Sequence, residues 1–295
     1  MSKLRLKTDG VLNFSDYKKT RHKITYFIFI FLLIIFAMTA FIPLLWLLIT
    51  SFKTVTEITS VNYRLFPEVF SPLKMIEVWK KVNFGKYYVN TLIVVIGAVI
   101  SACVFNALLA YAVGILKPFG YKIINTLILL GYMIPSALAI FPLVMQIRNF
   151  PGGSLINSYI PLWFAYGANA YYYLLFKNYF EKLPNSLIEA ARIDGLSELK
   201  IFFKVVFPLS RPIIGVVAIF SMTAAYSDFL LPYQVLQNNE MKTVMVAIYN
   251  LGTTDTIDSS EFLMLLVISI IPQLILFIIF QKQIMNQSVN SGMKD

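Results

Sequence analysis

Histidine and cysteine are almost missing from this chain: each occurs once in 295 residues, as His22 and Cys103. A lone cysteine excludes disulfide scaffolds, CxxC redox pairs and cysteine-based metal sites. Cys103 lies inside an apolar run and reads as a small core hydrophobe. His22 sits in a basic N-terminal segment, which removes histidine-dependent acid-base catalysis and histidine-cluster metal binding. The pattern G-x-x-x-x-G-K-[ST] occurs nowhere, so no nucleotide is bound here in the P-loop way. Charge is scarce as well, at 14% of residues. These gaps point away from covalent chemistry and from a cofactor held by this chain.

What fills the sequence instead is apolar. Hydrophobic residues make up 58% and mean hydropathy is +0.71, too little polar surface to cover a soluble globule of this size. The net charge of +10 does not indicate nucleic acid, because Lys and Arg punctuate long apolar runs rather than cluster on one wet face. One helical crossing needs about 20 apolar residues. Six runs qualify, 24–52, 87–116, 123–147, 149–176, 212–239 and 262–281, so the fold class expected is an all-α polytopic membrane protein with six transmembrane helices. The first run is too long for a secretory h-region and lacks a small-residue cleavage site, so it reads as an uncleaved span.

Six crossings place both termini on one side. With the N-terminus inside, the inner segments carry 17 of the 25 Lys and Arg, seven of them in 1–23 and six between Lys177 and Arg211. The short outer loops carry only Arg148 and Lys242. Both termini are therefore expected in the cytoplasm. The organisation that follows is a basic N-terminus at 1–23, a first span at 24–52, an extracytoplasmic loop at 53–86, a five-helix core at 87–282 and a tail at 283–295.

Several spans are interrupted by proline: Pro135 and Pro142 in the third, Pro161 in the fourth, Pro232 in the fifth. Freed carbonyls in lipid need neighbours or a wet cavity, so these are either tolerated kinks or signs of a transport path. Candidate path residues are Tyr132, Trp163, Tyr166, Asn169, Tyr226 and Asp228. Aromatic rings stack on sugar faces, but Trp and Tyr also anchor at membrane interfaces. For Tyr171 to Tyr173, near the cytoplasmic end of the fourth span, anchoring is the favoured reading. Asn106, Asn125 and Gln273 serve equally as interhelical glue. Asp228, a carboxylate inside a span, either lines the path or plays a structural part.

The segment 185–208 is too polar to cross and too patterned for a linker. Ser186 with Glu189 fits a capping box, and Gly195 supplies a helix stop. Ser197 is placed to cap a second helix with Glu198 in its first turn. Leu199, Phe202, Phe203 and Val206 then form one apolar stripe, and Pro208 is expected to end it. The result is a helix-turn-helix bracket on the cytoplasmic membrane face.

Glu189-Ala190-Ala191, three residues, Gly195, nine residues, then Val205 and Phe207-Pro208 resemble the EAA loop of permease subunits of binding-protein-dependent ABC importers. The resemblance covers most of the chain and is closest to the maltose-type, carbohydrate branch. It also rests on Pro43-Leu44-Leu45-Trp46 leading to Thr50-Ser51-Phe52-Lys53, on Asn90-Thr91, Ala110-Tyr111-Ala112, Met133-Ile134-Pro135 and Asp228-Phe229-Leu230. Departures are Val205 and Phe207 where the family more often has Ile and Leu, Tyr226-Ser227 for a usual Trp-Asn, and the absence of a Gly-rich tail from Met285 onward.

The resemblance implies the type I transmembrane domain of an ABC importer in a bacterial or archaeal cytoplasmic membrane. It implies that Glu189, Ala190, Ala191, Asp194, Gly195 and Pro208 belong to a loop whose helix docks on an ATPase. Ala190 and Ala191 would permit close approach, and Glu189 would meet a basic partner. It further implies two cytoplasmic ATPase subunits that bind ATP and Mg, a second similar permease chain and an extracytoplasmic binding protein. The cargo expected is a sugar or oligosaccharide, with a phosphorylated sugar, uronate or other polar solute as alternative. A secondary carrier or channel is a further alternative. An intramembrane protease is disfavoured, since Gly152-Gly153-Ser154 has no membrane histidine to serve it.

Overall fold

The computed structural model describes residues 20–62 and 64–292, and all regular structure among them is helical. Expectations about residues 1–19 and 293–295 lie outside the described residues. The chain divides into two compact units, 1–71 and 72–295.

In the first unit, α1 (Thr20–Ser51) is an unbroken helix of 32 residues with Pro43 inside it. A short α2 (Val55–Thr59) follows, and it carries a capping box. Glu57 Oε2 accepts from the Thr54 amide at 2.6 Å, and the Thr54 hydroxyl accepts from the Glu57 amide at 3.3 Å. The second Glu57 oxygen takes the Glu68 amide at 2.6 Å, which folds the loop back on itself. These amide donors hold the Glu57 carboxyl below its ordinary range.

The second unit is organised around one long helix. After α3 (Leu73–Lys81), α4 (Phe84–Tyr111) runs for 28 residues and ends in a π-turn, Ala112–Leu116. Its buried face is small: Ala98, Ala102, Ala107 and Ala110 are fully buried. Lipid supplies no hydrophobic push between helices, so close van der Waals approach along such a face is what holds neighbours to it. The rest of the unit is built in pieces. They are α5 (Tyr121–Tyr132), α6 (Ser136–Arg148), α7 (Ile160–Gly167), α8 (Ala170–Phe180), α9 (Asn185–Ile193), α10 (Glu198–Ile201), α11 (Phe207–Leu209), α12 (Arg211–Ser227), α13 (Leu230–Val235), α14 (Val244–Gly252) and α15 (Ser259–Gly292). Of these, α7, α8 and α12 pack most extensively on α4.

Among the described residues, three helical stretches are each long and apolar enough to cross a membrane, Ile24–Ser51, Phe84–Leu116 and Ser259–Gln281. Two bent pairs can raise that to five: α5 with α6, bent by 106°, and Glu198–Leu209 with α12, bent by 81°. The run 149–176, expected as the fourth crossing, holds instead two short helices, α7 and α8, of 8 and 11 residues. The fifth run divides as α12 and α13. Each break falls where sequence chemistry permits it: Pro135 before α6, Asn169 before α8 and Asp228 before α13.

At the end of α4 farthest from residue 111, polar side chains tie the loops down. Asn90 Nδ2 donates to the carbonyls of Glu240 and Lys242 at 2.8 and 3.0 Å, and Thr91 Oγ1 accepts the Val244 amide at 2.9 Å. Lys81 meets both Glu261 oxygens at 2.7 Å, which joins α3 to α15.

Candidate functional site

The 185–208 bracket forms, with its first helix placed differently from the expectation. Pro184, extended at ψ 124°, is the residue before α9, and helix begins at Asn185 with no side-chain cap. Ser186 is thereby already helical, and the expected Ser186–Glu189 capping box does not form. Gly195 does stop the helix. It sits at φ +75°, where a side chain is strained, and its amide bonds Arg192 O at 3.0 Å while the Leu196 amide bonds Ala191 O at 3.1 Å. That pair of bonds is a Schellman motif.

Ser197 occupies the position before α10, but its side chain makes no cap. The expected apolar stripe is split. Phe202 and Val206 are buried, whereas Leu199 and Phe203 are 66% and 51% exposed, and the residue buried in their place is Ile201. A π-turn at Phe202–Val206 then breaks, at Phe203, the 3.6-residue phase on which the stripe rested. Pro208 does not end the helix, which continues through α11 to Leu209. The sharp bend falls at buried Ser210, whose hydroxyl donates to Val206 O at 2.6 Å. Tyr179 of α8 donates to Leu209 O at 3.0 Å and holds this elbow.

The two alanines also part company. Ala191 packs inward with Ile188 among Tyr173, Phe176, Phe180 and Phe202, while Ala190 faces outward with Glu189. Leu187, Ile193, Leu199 and Phe203 are exposed on the same bracket, Ile193 at 86%. Asp194 caps α9, its amide bonded to Ala190 O at 3.0 Å. A cleft of about 390 Å³ opens beside α9, lined by Gly114, Lys117, Phe180, Glu181, Ile188 and Glu189 among others.

Glu198 links the bracket to α4. Its Oε1 accepts from Arg192 Nε at 2.8 Å, and its Oε2 accepts from the Tyr111 hydroxyl at 2.7 Å. The Arg192 guanidinium, then the Tyr111 hydroxyl, hold the Glu198 carboxyl below its ordinary range.

Most of the six path candidates are tied into the chain itself. Trp163 lays its indole over Gly97 and donates Nε1–H to Ile93 O at 3.2 Å. Tyr226 donates to Ser269 O at 2.7 Å. Asn169 caps α8 by accepting the Tyr171 and Tyr172 amides at 3.0 and 3.2 Å. Asp228 lies between α12 and α13 and accepts from Tyr166 Oη at 3.4 Å. Buried Asn106 stitches the α7–α8 break: its Nδ2 donates to Tyr166 O at 3.1 Å and its Oδ1 accepts the Asn169 amide at 3.2 Å.

Tyr132 is different. It is exposed and lies nearly parallel to Tyr171, ring centroids 6.5 Å apart at 16°, and Tyr171 meets Phe220 at 6.0 Å. At 1.5 Å per residue each of these three lies about 14–17 Å along its helix from the bracket end.

Residues 106–290 match the model of the binding-protein-dependent transport system inner membrane component family. The chain belongs to that family. Among its relatives, the permease is 33% identical over 266 residues to a diacetylchitobiose uptake system permease protein of Streptomyces coelicolor, covering 88% of this chain and 86% of that one. It is 29% identical to an arabinooligosaccharides transport system permease protein of Halalkalibacterium halodurans, with 88% and 94% covered. A melibiose/raffinose/stachyose import permease protein of Bacillus subtilis is 28% identical, with 84% and 89% covered. The crystal structure of a bacterial ABC transporter that imports the acidic polysaccharide alginate contains a chain of the same fold. That chain has a TM-score of 0.78 at 21% identity, with 90% of the permease and 98% of the solved chain covered. The all-helical fold is thus that of a type I importer transmembrane domain, and the permease is a multi-pass membrane protein.

Two structural partners in the permease escape sequence reading. Glu198 carries no signal beyond favourable charge in a first turn, and Tyr111 shows only as the middle of Ala110-Tyr111-Ala112. Nothing in Gly97 announces the ring that covers it.

Proposed function

We propose that the permease forms part of the membrane path of an ATP-driven importer for a sugar or oligosaccharide delivered by an extracytoplasmic binding protein. The single observation that carries this reading is α9. It is a short helix stopped by a Schellman glycine, anchored inward by Ile188 and Ala191, and presenting Glu189, Ala190, Leu187 and Ile193 outward on a chain without a nucleotide site of its own. Exposed apolar residues beside a carboxylate suit a groove on another protein. The partner assigned to it is a cytoplasmic ATPase that binds ATP and Mg. The full assembly would be two such ATPases, a second similar permease chain and the binding protein. This permease itself is read as non-catalytic.

The carbohydrate cargo is supported by the transport names of the relatives and by the Tyr132 and Tyr171 rings. The Tyr132 and Tyr171 hydroxyls have no hydrogen-bond partner among the described residues. A bare hydroxyl in hydrocarbon is costly, so this face suits a wet path better than lipid. Tyr171, read from sequence as an anchor, joins Tyr132 as a path residue on this argument. Trp163, Tyr166, Asn169, Tyr226 and Asp228 would act chiefly by shaping the broken helices that flank it. Six crossings, with α7 and α8 together making the fourth and both termini in the cytoplasm, complete the topology.

Co-expression with the candidate ATPase tests the reading. Parent permease should co-purify with it, and Glu189→Arg should abolish both co-purification and solute uptake into proteoliposomes. Uptake without any ATPase would sink the assignment in favour of a carrier.

A further inference from the structure

The coupling reading leaves open how a displacement of α9 reaches the membrane helices. One side of α9 faces the cleft of about 390 Å³ that Gly114, Lys117 and Glu181 also line. Only Ile188 and Ala191 of α9 are buried. Among the described residues, one side-chain hydrogen bond leaves α9 for another element, Arg192 Nε to Glu198 at 2.8 Å. The other oxygen of the same carboxylate holds the hydroxyl of Tyr111 at 2.7 Å, 87 residues away in sequence. Tyr111 is the last residue of α4, only 3% exposed, and its ring meets Phe202 of the π-turn at 5.4 Å. α4 in turn packs against α7, α8 and α12.

We propose that Glu198 is a positioning residue: its bidentate carboxylate clamps the C-terminal end of α9 to α4 and so transmits ATPase movement into the helix on which the broken spans are packed. The inference rests on the reading of α9 as the ATPase-docking helix. Two properties suit the carboxylate to this task. Its two oxygens serve two segments at once, and charge-assisted bonds are the stronger and more directional kind. The half-exposed Arg192–Glu198 arm is screened by salt, whereas the Tyr111 arm reaches a buried group.

The test measures solute moved per ATP hydrolysed by the assembled complex in proteoliposomes. Tyr111→Phe deletes one oxygen and keeps the ring packing, Glu198→Gln keeps an acceptor but loses the charge, and Glu198→Leu removes both arms. Expected is co-purification with the ATPase and continuing hydrolysis in all three, with the transport-to-hydrolysis ratio falling about threefold to tenfold for Tyr111→Phe and further for Glu198→Leu. The parent ratio in Tyr111→Phe and Glu198→Gln would overturn the proposal. So would an equal fall of hydrolysis and transport together with a lowered Tm, which marks a merely structural contact. Failure of the coupling reading looks different: Glu189→Arg would then leave ATPase association intact, whatever the clamp variants do.

Discussion

Replacing Gly97 by alanine should unseat Trp163. A Cβ built on Gly97 would lie 2.2 Å from Trp163 Nε1, 2.3 Å from Cε2 and 2.4 Å from Cδ1, far inside contact distance. All three atoms belong to the five-membered part of the indole. The obstacle is therefore a rigid ring face that cannot yield by rotating a chain end. The ring has to leave, and with it goes the hydrogen bond from Nε1 to Ile93 O at 3.2 Å. Overpacking of this kind costs about 1–3 kcal/mol and the lost hydrogen bond about 1 kcal/mol, so about 2–4 kcal/mol in all. At roughly 2–4 °C per kcal/mol for a unit of this size, the apparent Tm in detergent should drop by roughly 5–15 °C. Trp163→Ala removes the atoms that collide. Gly97→Ala in that background should accordingly cost at least about 1 kcal/mol less than in the parent, a coupling a double-mutant cycle resolves. Additive effects of the two substitutions, or a Gly97→Ala permease with the parent Tm and unchanged tryptophan emission, would refute the reasoning.

Other consequences are as direct. Asn106→Leu keeps the volume but orphans Tyr166 O and the Asn169 amide, so it should cost about 1–3 kcal/mol and expose the α7–α8 break to limited proteolysis. Gly195→Val forces a branched side chain into φ +75°, and retained ATPase association at parent strength would contradict the Schellman stop as the feature that aims α9. Tyr132→Ala or Tyr171→Ala should raise the KM for uptake severalfold to about tenfold while co-purification with the ATPase is unchanged. The carboxyl of Glu198 is held below its ordinary value of 4.5, so the clamp is fully present above that value and lost only as pH falls through the lowered one. Coupling should thus be flat from about pH 8 to about pH 5, and a midpoint near neutrality would show that another group controls it.

Much of the permease is legible in its residues because the lipid leaves few options. Apolar runs of crossing length must be helical, since only a helix satisfies its own backbone in hydrocarbon. That locates the crossing-length stretches Ile24–Ser51, Phe84–Leu116 and Ser259–Gln281 to within a few residues. The same logic blurs where polar partners intervene. The run 149–176 reads as one crossing, yet it breaks at Ala168 because Asn169 can cap α8 and Asn106 can satisfy the amide and carbonyl left open. The bracket is half legible. Gly195 announces its turn because only glycine rests comfortably at that φ, whereas the apolar stripe is misread because Ile201 rather than Leu199 faces the core and a π-turn then shifts the phase at Phe203. Pro208 misleads for a related reason, as the chain absorbs it in a last helical turn and bends at Ser210 instead.

Composition, run length and the spacing from Glu189 to Pro208 determine, by themselves, a helical membrane chain with a polar, patterned bracket and no P-loop motif. These properties are local, set by the solvent each segment meets and by the backbone preferences of a few residues. Tertiary structure alone decides which polar groups meet. Tyr111 finds Glu198, Trp163 covers Gly97 and Tyr132 stacks on Tyr171 because α4 presents a face small enough for α7, α8 and α12 to approach it. Pairings across such distances carry no sequence period, and only the packed backbone brings them within reach of one another.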